Sequence, residues 1–280
     1  LINSNTYSED PVLNDNSDYN LFGILSMETS YPLKKELSNS TNYIKPKAQF
    51  KFSPTNTGDS SSSDVRLDYG NLFAINRIRN AEVEEGRSLT LGFEFEKQDI
   101  LNEKIIGFNI GSVIKDKKNS SMPSKSKLDQ TRSDIVGGFE YNFNEYNKLV
   151  YDFSFDRDLD YSNYDAITAQ LGNNKIVTSF DYVTENHDFG DSETLSNETN
   201  VNFNNDHSIT FNATKDLKTD FTQFYDLSYK YETDCMLATL QYRKKFFRDG
   251  NLIPTESLSF LIRFRPFTSI VGSANTIVNK

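Results

Sequence analysis

Along much of the chain, apolar and polar residues take alternate positions. In Leu149–Asp156, "LVYDFSFD", Leu149, Tyr151, Phe153 and Phe155 share one parity, and Asp152, Ser154 and Asp156 the other. Successive strand side chains point to opposite faces, so this spells an apolar face backed by a polar one. The alternation recurs in Ile135–Phe143, with Phe139 and Tyr141 on the apolar side, and in Leu89–Glu96. It returns in Phe221–Tyr231, with Leu227 and Tyr229, and in Leu258–Arg265. No long segment carries a helical period. The pattern predicts an all-β chain.

About thirteen candidate strands of roughly 9–13 residues emerge, long enough to cross a bilayer when tilted. They lie near 21–33, 43–53, 87–97, 104–114, 134–143, 148–157, 162–171, 176–184, 196–204, 207–215, 221–231, 235–247 and 257–267. The connections between them alternate in size. Residues 115–133, 185–195 and 248–256 are long and 216–220 intermediate, whereas 98–103, 144–147, 172–175, 205–206 and 232–234 are short; 158–161 is the one undersized member of the long side. Outer-membrane barrels show this asymmetry, with tight periplasmic turns and longer outer loops. The expected fold is therefore an antiparallel transmembrane β-barrel segment. On that reading 1–20 is a leading loop segment, 21–267 the barrel domain with one large outer loop at 54–86, and 268–280 a periplasmic tail. Phe139, Tyr141, Leu149, Tyr151, Phe153, Phe155, Leu227 and Tyr229 are expected to face lipid, and Ser154 to face a hydrated lumen. A soluble β-sandwich would also alternate, but its strands are shorter and its loops need not segregate by length. A requirement for detergent separates the two.

Composition sharpens the picture. Only 36% of the residues are hydrophobic, yet 13% are aromatic, so the apolar residues are rationed to alternate positions rather than absent. A net charge of −10 argues against a nucleic-acid partner. No run approaches the 18 or more apolar residues of a membrane helix. Two histidines, His187 and His207, and one cysteine cannot build a His-rich zinc site or mark a triad. Neither catalytic residues nor a metal or cofactor are expected; the chain reads as a non-enzyme. Asp156, Asp158 and Asp160 resemble the start of a calcium loop, but Tyr161 and Ile167 stand where Gly and Glu would be needed, so a solvated carboxylate cluster is expected. Gly137–Gly138 inside a strand predicts a kink or close packing. The chain opens on Leu1, and single-chain bacterial barrels have even strand numbers. An odd count thus predicts part of a larger barrel.

Two runs carry a family resemblance: "KLDQTRSDIVGGFEYNFNEYNKLVYDFSFDRDLDY" (Lys127–Tyr161) and "ITFNATKDLKTDFTQFYDLSYKYETDCMLATLQYRKKFFRDGNLIPTESLSFLIRF" (Ile209–Phe264). With "KPKAQFKFSPTN", "DYGNLFAINRI" and "EEGRSLTLGFEFE" they resemble the LptD family, which inserts lipopolysaccharide into the outer leaflet of the bacterial outer membrane. The resemblance implies the C-terminal half of a very large barrel. Its implied partners are lipopolysaccharide, outer-membrane lipid, an LptE-like plug lipoprotein, and the periplasmic Lpt bridge acting through an N-terminal domain outside this chain. It also implies a lateral seam beside the last strand, with Ser257, Leu258, Phe260, Ile262, Phe264 and Pro266 as one lip.

Cys235, the lone thiol, would open a strand at the periplasmic rim with its side chain toward the lumen. The periplasm oxidises thiols, and the resemblance implies a disulfide to the periplasmic domain. Members with such bonds carry adjacent cysteines, however, whereas Asp234 precedes Cys235 here. A small apolar filler is the alternative role. The function expected is lipopolysaccharide transport and insertion. The alternatives are another outer-membrane barrel (porin or receptor) or a soluble adhesin-like sandwich.

Overall fold

A computed structural model describes residues 2–5, 17–20, 23–54, 59–78, 83–101, 103–246, 254–264 and 269–277. The chain is all-β. Strands β1 (Ile2–Asn5) and β2 (Ser17–Asn20) pair with each other as a small antiparallel sheet, so the segment expected as a leading loop contains a ladder. The remaining strands form one antiparallel sheet in which, from β5 onward, each lies beside its neighbours in the chain, and β3 and β4 both pair with β5. They are β3 (Leu25–Ser30), β4 (Leu33–Leu37), β5 (Ser40–Ser53), β6 (Gly86–Asp99), β7 (Lys104–Lys115), β8 (Ile135–Asn142), β9 (Lys148–Phe155) and β10 (Ser162–Gly172). There follow β11 (Ile176–Glu185), β12 (Ser192–Asn202), β13 (His207–Asp216), β14 (Phe221–Glu232), β15 (Met236–Lys245), β16 (Thr255–Phe264) and β17 (Ser269–Ile277).

Two differences from the sequence expectation have local causes. The expected first strand is β3 and β4 together, which pair with β5 in one continuous register from Leu25↔Phe52 to Leu37↔Ser40. Their ladder breaks at Tyr31, whose amide reaches the Pro46 carbonyl at 3.1 Å but whose own carbonyl faces Pro46, which has no N–H to return; the nitrogen of Pro32, next along, faces away from β5. At the other end, β17 pairs with β16, from Thr255↔Ile277 to Arg263↔Ser269. Residues 269–277 are therefore a strand and not simply a tail, and the expected last strand is the penultimate one. Gly272, Ala274 and the flanking serines mute the alternation there. Pro266 lies outside the described residues.

The chain divides into two compact units. The first comprises residues 1–139, 153–163 and 187–189. On one face of its sheet, Phe50, Leu89 and Ile114 form a cross-strand row and remain exposed, as does Leu91. Phe153 and Phe155 share the outward parity, their rings 5.0 Å apart. Gly137 lies beneath Phe153: a Cβ there would meet the ring at 2.6 Å as well as the Asn109 carbonyl, the close packing expected of this diglycine. The opposite face is covered. Residues 59–78 and segment 116–134 meet over it, joined by Ser60 N–H to the Ser121 carbonyl (2.8 Å) and Leu67 N–H to Ser126 Oγ (2.8 Å). Leu67, Leu72, Ile78, Met122 and Leu128 from these connections pack with Val113 and Val136 from the sheet into a buried core. Ser154, expected to face water, is buried in this layer at 1% exposure.

The second unit comprises 140–152, 164–186 and 190–280. Ile167, Phe180, Phe211, Leu227, Tyr229, Leu240, Leu258 and Phe260 are exposed on one face, while Tyr141, Leu149 and Tyr151 are half-buried. The other face carries polar pairs: Thr168 with Asp181 (2.6 Å), Ser196 with Thr214 (2.9 Å) and Asn200 with Thr210 (2.9 Å). Asp226, fully buried, accepts from both Gln241 and Arg243 at 2.6 Å.

Phe73 rests against Gly92, where an added Cβ would come within 2.6 Å of its ring. Gly92→Val should displace this contact and cost about 1–3 kcal/mol in denaturant unfolding from detergent. A Gly92→Val midpoint equal to the parent's would show that segment 59–85 does not need this contact.

Candidate functional site

The covered face of the first unit is built in rows by the register of β5, β6 and β7. Lys51, Ser88 and Lys115 stand in one row; Gln49, Thr90 and Val113 in the next. Lys47, Gly92 and Gly111 follow, then Lys45, Glu94 and Asn109. Because strand side chains alternate, these inward groups are the complement of the exposed Phe50–Leu89–Ile114 row.

Residues 59–78 and 83–85 lie across all four rows. At the first, Glu84 is gripped by three cations: Arg77 at 2.7 Å, Lys115 at 2.8 Å and Lys51. All four side chains are buried. Arg77 also donates to Thr90 and, through Nε, to the Leu72 carbonyl at 2.9 Å, while Lys115 reaches the Leu128 carbonyl. Burial alone would push the Glu84 carboxyl up, but Arg77, Lys115 and Lys51 overcome it and hold the group well below the usual carboxylate range. At the second row Gln49 donates to the Phe73 carbonyl at 2.7 Å. At the third, Phe73 and Leu72 fill the space left by Gly92 and Gly111, and the Lys47 ammonium sits 4.2 Å from the Phe73 ring centroid. At the fourth, the Tyr69 hydroxyl donates to Glu94 at 3.0 Å. Burial and the Glu94 charge together raise the Tyr69 phenol above its ordinary value.

Beside the last row is a cavity of about 400 Å³ lined by Tyr43, Lys45, Tyr69, Glu94, Gln98 and Asn109 among others. Aromatic faces and both signs of charge meet there. The site has hydrogen-bonding and stacking capacity but no nucleophile–base pair; among the described residues no trio of His, Cys, Asp or Glu could hold a metal.

The residues picked out from the sequence fall elsewhere. Cys235 lies in the turn before β15 rather than in the strand, exposed, with Thr233 Oγ1 3.7 Å from its sulfur. Ser257, Leu258, Phe260, Ile262 and Phe264 lie in β16, now flanked by β17. Asp158 and Asp160 are exposed, but Asp156 is buried rather than solvated. His187 is near Tyr161, with ring centroids 4.1 Å apart, and His207 stacks on Tyr229 and Tyr231. The Lys51–Arg77–Glu84–Lys115 cluster was not foreseen. Its one signal was the two lysines at inward parity near the ends of β5 and β7, which need a carboxylate if they are buried.

A sheet this extensive, with an apolar face left exposed and internally paired polar groups behind it, is a membrane-spanning β-wall of the outer-membrane type. The family model described as "LptD: LPS transport system D" matches residues 3–205, most of the chain. The chain belongs to the LptD family. The match ends ahead of β13, so the Ile209–Phe264 run lies outside it. No curated protein matches the chain. Among solved structures, two mutants of the Rh. blastica porin align with a TM-score of 0.38 at 10% identity, covering 91% of this chain and 93% of theirs. Acinetobacter baumannii OccAB4 aligns with a TM-score of 0.28 at 10% identity, covering 98% and 93%.

Glu84→Ala would leave three buried cations without their shared anion. Breaking a buried pair in this way costs about 3–5 kcal/mol, and Arg77 should become open to trypsin. Equal cleavage kinetics at Arg77 in the parent and Glu84→Ala would show that Glu84 does not hold the segment.

Proposed function

We propose that this chain is the C-terminal part of an LptD barrel and serves as a wall of the lipopolysaccharide translocon of the bacterial outer membrane, not as an enzyme. The observation that carries the reading is the exposed apolar face in a chain of the LptD family. Outward residues such as Leu89, Leu227 and Leu258 anchor the wall in lipid. The polar face opposite them borders the path of the saccharide, and the lipid portion leaves into the outer leaflet. An LptE-like lipoprotein and a periplasmic Lpt bridge complete the machine. A disulfide through Cys235, if made, needs a sulfur from outside these residues, because the chain has one cysteine.

Depletion of the full-length protein in its host provides the test. Loss of newly made lipopolysaccharide from the cell surface is expected; a defect confined to uptake of one nutrient would instead mark a porin or receptor. Membrane placement has its own test in two neighbouring residues of β14. Leu227→Arg should cost about 2–4 kcal/mol near the bilayer midplane, and Ser228→Arg, on the opposite face, much less. Equal costs in bilayer refolding would overturn the assignment of faces.

A further inference from the structure

A second buried cluster, distinct from the Glu84 site, lies where segment 116–134 meets the β9–β10 hairpin. Asp134 is fully buried, as is Asn163; Ser154 is 1% and Asp156 5% exposed. Asn163 Nδ2 donates to Asp134 Oδ2 at 2.8 Å and Ser154 Oγ to the same oxygen at 3.3 Å. These are the two side-chain donors that reach Asp134. What remains are acceptors: Asp134 Oδ1 and Asn163 Oδ1, both buried and without a hydrogen-bond partner. Asp156, whose charge acts on Asp134, spends one oxygen on the Asp158 amide at 3.1 Å. Neither carboxylate has an ion-pair partner among the described residues.

A buried locus with two carboxylates and leftover acceptors needs positive charge or a donor. Burial, and then the Asp156 charge, push the Asp134 carboxyl up to about 6, against the pull of Asn163, Ser154 and Lys127. The available ligands are all oxygens, two of them carboxylate, which suits a hard divalent ion and not zinc or copper.

We propose that Asp134, Asp156 and the Asn163 side-chain oxygen form a divalent-cation site of the calcium type, which ties segment 116–134 to the β9–β10 hairpin. Backbone carbonyls and water complete the shell. With only two carboxylates the site belongs to the weak class, with a dissociation constant on the order of 10⁻⁴–10⁻³ M. The site does not depend on the transport reading above, since its readout is the stability of the protein itself.

The test uses the full-length protein in detergent, stripped with EDTA and titrated with calcium chloride at constant ionic strength near pH 7.5. At about ten times the dissociation constant, the melting temperature should rise by about 2–4 °C. Asp134→Asn keeps the shape, removes the charge and offers an amide donor to Asn163; it should abolish the calcium response and melt no lower than the parent without calcium. Asn163→Ala should weaken calcium binding about tenfold in calorimetry, and Asp158→Asn, on the exposed side of the turn, should leave it unchanged. The proposal is overturned by a parent that ignores calcium, by a shift that sodium chloride reproduces, or by Asp134→Asn retaining the full response.

Discussion

In hydrocarbon no water is present to satisfy a backbone amide, so every amide of a spanning strand must find a neighbouring carbonyl. That constraint makes the continuous ladder from β5 onward obligatory and leaves side chains two faces to choose between. Once one face is given to lipid, charge can be arranged only on the other. The pairing of Phe50 with Leu89 and of Lys51 with Ser88 are two sides of the same register. A slip of one residue would put Lys51 into the bilayer and Phe50 into the Glu84 cluster.

The sequence made the all-β architecture and its faces readable because period-two alternation is local and survives in Leu149–Phe155 or Leu258–Phe264 without help from distant residues. β17 was harder to see, since small residues and a glycine flatten its contrast. The break between β3 and β4 was hidden because the residues on both sides keep the same parity, and Pro46 reports a lost hydrogen bond only once its partner Tyr31 is known. The candidate site was nearly opaque. Glu84 lies in a stretch that reads as one polar loop, and its partners Lys51 and Lys115 are 33 and 31 residues away in the chain. Contacts of that kind are set by the register of three strands, and no linear motif records them. The burial of Asp156 was concealed for a similar reason: its alternation with Asp158 and Asp160 suggested a common solvated fate, but only Asp156 lies on the inward side of β9 as extended by the turn.

The two units use their polar faces differently. In the second, short side chains bond to their cross-strand neighbours and leave the face one layer deep. In the first, connections fold back and supply a second layer with its own apolar core. Small residues make this possible: Gly92 and Gly111 bring the backbone close enough for Leu72 and Phe73 to lie flat on it. The result is an inner lining whose attachment is electrostatic at one end, aromatic in the middle and hydrogen-bonded at Tyr69.

The proline break between β3 and β4 reaches beyond local geometry. A sheet margin ordinarily offers an uninterrupted rank of free amides and carbonyls to any extended chain drifting past, the usual start of runaway stacking. Here that rank is interrupted at Pro32, and Lys34, Lys35 and Glu36 stand close behind it. A stray strand would lose its pairing midway, whereas a dedicated partner could be shaped to the gap. The margin is thereby selective about what it accepts.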